Sequence, residues 1–219
     1  VVGIEAKDLH DGGVAGLGIF PELSPEKADA ILNGAMQEFL AHGYAATSMD
    51  RVAAAAGVSK ATVYSHFKDK EGLFTALVQR LNQQKLSLFH QVKSLDGNPQ
   101  IALSQFLSTA LDRIQRDRDH IAFIRLIIGE SGRFPQLAQI FVQNMTKLGI
   151  ALLSEFLADR PDLNISDPQA TAHIIMGAMV HYVLVQEMLH GGDIVPMDGD
   201  RLVKAIVELV TGNQRDSTL

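Results

Sequence analysis

Residues 47–74 read TSMDRVAAAAGVSKATVYSHFKDKEGLF, and the fold follows from how this stretch is punctuated. Thr47 is expected to cap a helix, with Asp50 three residues on as a variant of the capping box. Val52 and Ala56 face one way, a turn apart, and Gly57 supplies the left-handed stop. Ser59 then caps a new helix, while Val58 and Val63 take the two places of a hydrophobic staple across that cap. This second helix runs from Lys60 to about His66, roughly 10 Å in length. Two short helices with a glycine-bearing turn between them make a helix-turn-helix. A plain helical hairpin with a solvated outer face would show the same caps.

Working outward, Ser24-Pro25-Glu26 is a helix start, with Ser as cap and Pro in the first turn. Ala28, Ile31, Leu32, Ala35 and Phe39 follow at helical steps, and Gly43 is expected to stop that helix. Downstream, a longer helix begins at Asp69 with Leu73, Leu77, Leu81 and Leu88 as its apolar stripe. Asp96-Gly97-Asn98-Pro99 breaks the chain, and Pro99 opens the next helix. Asp117–Asp119 is a charged joint, and Ser131-Gly132-Arg133 is a second break. A long segment covers about Phe134 to Leu157. Pro161–Pro168 is a loop, a helix from Pro168 ends at Gly191-Gly192, and a last helix carries Leu202, Ile206, Leu209 and Val210 on one face. No β-hairpin signal occurs. The expected fold is all-α with about nine helices: a three-helix helix-turn-helix domain at residues 24–72 and a larger helical bundle at 73–219. The glycine-rich residues 1–23 are expected to be a flexible leader.

Composition narrows the function. The chain has 219 residues, 47% of them hydrophobic, which is ample for a buried core and too apolar for general disorder. It has no cysteine, which excludes disulfides, thiolate metal sites and cysteine nucleophiles. No run approaches the roughly 18 apolar residues that span a bilayer. The start of the chain does not read as a secretion signal, so a cytoplasmic location without a membrane partner is expected. Net charge is −6, against a broadly basic nucleic-acid coat. Within 47–70, however, four basic residues (Arg51, Lys60, Lys68, Lys70) face two acids (Asp50, Asp69), so any polyanion contact belongs there.

The helix that opens at Ser59 is short enough to lie in a DNA major groove. Its outward set is Lys60, Ala61, Thr62, Tyr64, Ser65 and His66. A cation, hydroxyls, a phenol and a methyl can hydrogen-bond base edges or phosphates, or pack on a thymine methyl. Thr47 and Ser48 stand at a helix N-terminus, where backbone N–H groups favour a phosphate. Lys70 offers a further phosphate contact.

From about Pro25 to Phe74 the chain closely resembles the DNA-binding domain of the tetracycline-repressor (TetR) family. The resemblance lies in Ala41-His42-Gly43-Tyr44 and then in the whole 47–74 stretch. One departure is Ala61, where the family often has glycine. The resemblance implies groove contacts by Lys60, Ala61, Thr62 and Tyr64, and phosphate contacts by Thr47, Ser59, Tyr64, His66 and Lys70. It also implies a homodimer on a palindromic double-stranded DNA operator, with salt-sensitive binding. Arg125–Phe141, reading RLIIGESGRFPQLAQIF, is similar to an AefR-like subgroup. That implies a repressor answering a small apolar or amphipathic effector. The effector would pivot the long helix from Asp69 to Leu88.

In the larger bundle, Phe106, Phe123, Arg125, Met145, Met176, His181 and Tyr182 are the candidates for an effector pocket, each of them equally an ordinary core residue. Arg125 and Glu130 could also form an ion pair. The last two helices are similar in place to the family's dimer-forming pair, and Ala170, Ala172, Gly177 and Ala178 allow close approach. His173 and His181 lie eight residues apart, too far for one metal without a third ligand. No nucleophile elbow or paired catalytic carboxylate is visible. A non-enzymatic regulator without cofactor or metal is therefore expected. The competing reading is a helical small-molecule-binding protein or enzyme that keeps the helix-turn-helix as scaffold.

Overall fold

The computed structural model describes residues 24–93 and 98–212, apart from the side chains of 83–93 and 162. The expected leader at 1–23 and the side chain of Leu88 lie outside the described residues. Ten α-helical segments follow one another: α1 Pro25–Ala46, α2 Met49–Ala55, α3 Lys60–Phe67, α4 Lys70–Lys93, α5 Pro99–Arg116, α6 Arg118–Glu130, α7 Pro135–Phe141, α8 Lys147–Ala158, α9 Pro168–Tyr182 and α10 Gly199–Thr211. A π turn at Val142–Thr146 joins α7 to α8 in one rod, and a second at Val183–Met188 prolongs α9. The ten segments are thus nine continuous rods, as the sequence pattern predicts, and no strand occurs among the described residues.

Local chemistry sets the boundaries. Asn98, Asp117, Asp167 and Asp198 each accept a bond from a backbone N–H in the first turn of α5, α6, α9 and α10. Ser24 holds the cap position of α1, but its hydroxyl makes no capping bond. Gly43 kinks α1 rather than ending it. At φ 75° and ψ 167° it leaves helical geometry, and the chain regains helix through Ala46.

Two cores result. The first collects Ile31, Ala35 and Phe39 of α1, Val52 of α2, Val63 of α3 and Leu73, Phe74 and Leu77 of α4. It also takes in Phe123 and Ile127 of α6, Leu137 of α7 and Met145 of the π turn. The expected division after residue 72 falls within α4, whose first three turns complete this core. Aromatic rings tie the two regions: Phe74 lies 5.2 Å from Phe123, and Tyr44 lies 5.2 Å from Phe134. The second core packs α5, α8, α9 and α10 around Leu103, Leu107, Leu153, Ile175 and Val203.

Candidate nucleic-acid interface

The α2–α3 pair is assembled by short-range bonds. Ser48, not Thr47, caps α2: its hydroxyl accepts from the Arg51 N–H at 3.3 Å. Thr47 turns inward instead. Its Oγ1 donates to the Gly43 carbonyl at 2.8 Å, with the Glu38 carbonyl 3.0 Å away, and the residue is only 3% exposed. This corrects both sequence readings of Thr47, as cap and as side-chain phosphate contact, because its hydroxyl is used to close the kink in α1. Asp50 does not complete a capping box either. It pairs with Lys60, bridging α2 to the first residue of α3.

The turn between the helices is closed by Gly57, at φ +66°, and by the Val58 N–H, which donates to the Ala53 carbonyl at 3.0 Å. Ser59 Oγ accepts from the Thr62 N–H at 3.1 Å and lies 2.7 Å from Thr62 Oγ1. Val63 is fully buried and Val58 packs on the same core, so the staple forms as expected. With Val63 turned inward, α3 presents Lys60, Ala61, Tyr64 and Ser65 to solvent, Tyr64 at 48% exposure. Thr62 and His66 are half-buried. The His66 ring Nδ1 lies 2.7 Å from the Thr62 carbonyl, which holds the imidazole along the helix.

Lys70 departs most from expectation. Its ammonium donates to the carbonyls of Tyr44, Ala45 and Thr47 at 2.6, 3.2 and 2.9 Å, and sits 4.4 Å from the centre of the Tyr44 ring. The last carbonyls of a helix have no partner within it, and α1 has no basic residue in its final turn. Lys70 satisfies them from α4, which leaves no ammonium hydrogen for a phosphate. Burial lowers its pKa, and the charge of Glu130 partly offsets this. Burial, with the nearby charges of Glu71 and Asp69, pushes the Tyr44 phenol up to about 12.

Sequence reasoning assigned no role to Lys68. It ends α3 at a positive φ of 55°, with an exposed side chain. Its place just past the helix end, inside the one basic stretch, is the signal that could have found it.

The seven effector-pocket candidates do not converge. Phe123 and Met145 are buried in the first core, and Tyr182 in the second. Phe106 packs on that second core, stacked on Phe156. Arg125 donates to the carbonyls of Glu187 and Met188 at 2.7 and 2.9 Å, closing the end of the π turn after α9. This replaces the ion pair considered between Arg125 and Glu130. Met176 is half-buried beside Gly149, and His181 is exposed. Two open cavities stand out among the described residues. The larger, about 760 Å³, lies between α1, α4 and the α5–α6 joint, and none of the seven lines it. The smaller, about 350 Å³, is lined by Tyr182 with Gln115, Asp112 and Asp198. Among the described residues no group of three His, Asp or Glu side chains is placed to hold a metal ion, and no helix is long and apolar enough to cross a membrane.

Comparison with known proteins bears on this arrangement. Residues 31–77 match the model for bacterial regulatory proteins of the tetR family, and residues 102–212 match that for the C-terminal domain of AefR-like transcriptional repressors. The chain is 28% identical to the HTH-type transcriptional repressor BepR of Brucella suis biovar 1, over 84% of this chain and 91% of that protein. It is 35% identical to the HTH-type transcriptional regulator AcrR of Shigella flexneri, over 40% of this chain and 41% of that one. Among solved structures, the flavonoid-responsive regulator FrrA is 30% identical, with a TM-score of 0.66 over 84% of this chain and 94% of that chain. With a surface-facing α3 on a stapled helix-turn-helix, and with both halves of the chain matched, this protein belongs to the TetR family of DNA-binding transcriptional regulators, with an AefR-like C-terminal domain.

Proposed function

We propose that the chain works in the cytoplasm as a homodimeric repressor that places two α3 helices in successive major grooves of a palindromic operator. The observation that carries this reading is the outward row Lys60, Ala61, Tyr64 and Ser65, set on a helix whose opposite edge is locked by Val63. Lys60, Ala61, Thr62 and Tyr64 read the groove. Ser48, Ser59, His66 and Lys68 approach the backbone, Ser48 and Ser59 at helix N-termini. Thr47 and Lys70 act behind them by fixing the α1–α2 turn.

The dimer forms through α9 and α10. In support, α9 leaves Ile174 at 72% exposure, beside Gly177 and His181, and α10 leaves Leu209 at 84%. Release comes from a small apolar or amphipathic effector taken up by the C-terminal bundle, a class suggested by the flavonoid response in the name of FrrA. The effector must favour one of two arrangements of the bundle for affinity to change.

Selection of bound duplexes from a random-sequence pool tests the reading. Wild-type protein enriches a palindrome, and footprinting protects two half-sites about one helical turn apart. Tyr64→Ala abolishes protection while light scattering still reports a dimer. No enrichment, or full binding by Tyr64→Ala, rejects α3 as the reading helix. In that case the scaffold reading gains.

A further inference from the structure

The cations of the DNA-facing window are mostly engaged within the protein. Arg51 Nε lies 2.8 Å from Glu38 Oε2, Lys70 is spent on three carbonyls, and Lys60 pairs with Asp50. Of these four cations, Lys68 alone has a side chain with no ion pair or hydrogen bond among the described residues, its backbone N–H donating to the Tyr64 carbonyl. The Lys60–Asp50 pair differs from the other two in being open to water on both sides, with side chains 65% and 48% exposed. Exposed pairs add little to stability, so the consequence of this one lies in what else Lys60 can bind.

Lys60 is the first residue of α3, and Asp50 lies in the first turn of α2. The carboxylate sits where it can hold the ammonium as a phosphate oxygen would. We propose that Asp50 holds down the protein's affinity for DNA: it occupies Lys60 in the free protein, so a duplex that takes up that charge must first break the pair. The inference rests on the reading of α3 as the DNA-contacting helix. A lysine that is already neutralised releases no counterion when it reaches a phosphate, so the pair adds nothing to sequence-independent affinity. Pulling Lys60 away also leaves Asp50 bare beside a polyanion. Base-edge contacts from α3 offset that repulsion on the correct sequence. On other sequences nothing does.

The probes are the duplex enriched by the wild-type protein and a scrambled duplex of the same length. Binding is read by fluorescence anisotropy from about 50 to about 200 mM salt. Asp50→Asn steepens the log–log salt slope on scrambled DNA by about 0.9 per protomer and tightens that binding about eightfold per protomer near 0.1 M salt. Affinity for the selected duplex rises at least as much, because there the wild type breaks the pair to seat α3. Asp50→Ser gives the same slope, which separates the charge from any change in helix capping. In the Lys60→Ala background, Asp50→Asn has no effect on the slope. An unchanged slope and unchanged affinity in Asp50→Asn overturn the inference. Loss of affinity confined to the selected duplex also overturns it, because Asp50 would then be accepting a hydrogen bond from DNA. Tyr64→Ala serves as the separate control. If it binds both duplexes as the wild type does, the assignment of α3 fails and the inference falls with it.

Discussion

Lys70 Nζ lies 2.6 Å from the Tyr44 carbonyl oxygen, so the first residue of α4 closes the last turn of α1 across 26 positions of sequence. The contact engages, with two further carbonyls, a lysine at the edge of the surface proposed to face DNA. It also joins the helix that runs on into the C-terminal bundle to the turn that leads into α2.

Lys70→Met therefore behaves as a loss of structure. Leaving the Tyr44 and Thr47 carbonyls without partners costs about 1–3 kcal/mol each where they are buried, and the urea midpoint falls. DNA affinity falls with it at every salt concentration. A phosphate contact would behave in the opposite way, with unchanged stability and a salt slope shallower by about 0.9 per protomer.

Phe123→Ala separates a core residue from a pocket residue. The ring is fully buried, 5.2 Å from Phe74. Its removal costs about 3–5 kcal/mol and loosens the helix-turn-helix from the other half of the molecule. Operator affinity drops even without effector. A variant of ordinary stability that has lost only its effector response would contradict this placement.

Close approach of α1 and α2 makes Gly34 intolerant. A Cβ there would stand 3.0 Å from the Ala56 nitrogen and 3.3 Å from the Val52 carbonyl oxygen, both backbone atoms of the adjoining helix. Gly34→Val destabilises by about 1–3 kcal/mol through overpacking, measured as a lower urea midpoint.

Alkaline pH acts through Tyr44. The phenol ionises at about 12 in the folded chain against 10.0 for its ordinary value. The folded state thus holds the proton more tightly, and its stabilisation is complete below pH 10 and lost as pH rises from about 10 towards 12. Tyr44→Phe lacks this loss. Comparing the two proteins isolates Tyr44 from Lys70, whose lowered pKa acts with the opposite sign below its ordinary value. Thermal melts across this range that run parallel for both proteins would contradict the assignment.

The features legible in the sequence are those decided within a few residues. Ser59, Gly57 and the Val58–Val63 staple are local, and the structure forms them as the spacing predicts. The cap of α2 slipped by one because Thr47 and Ser48 both carry the hydroxyl a cap needs. Only the kink at Gly43, which draws Thr47 inward, decides between them. The carbonyl contacts of Lys70 and Arg125 are illegible in the sequence for a related reason. Each side chain serves carbonyls 23 to 63 positions away, and no local pattern marks a long side chain as a cap for another helix. The pocket candidates lie apart because an apolar residue on a helix carries no sign of which of two cores it enters.

The sharing of the first core has a consequence for how such a chain can be cut. A fragment ending after α4 would leave Tyr44, Phe74 and their neighbours facing water where Phe123, Ile127 and Phe134 now cover them. The reading head is thus no detachable cassette. A chimaera that grafts it onto a foreign sensor must bring along α6 and the turn that leads into α7, or supply rings of matching shape in their stead.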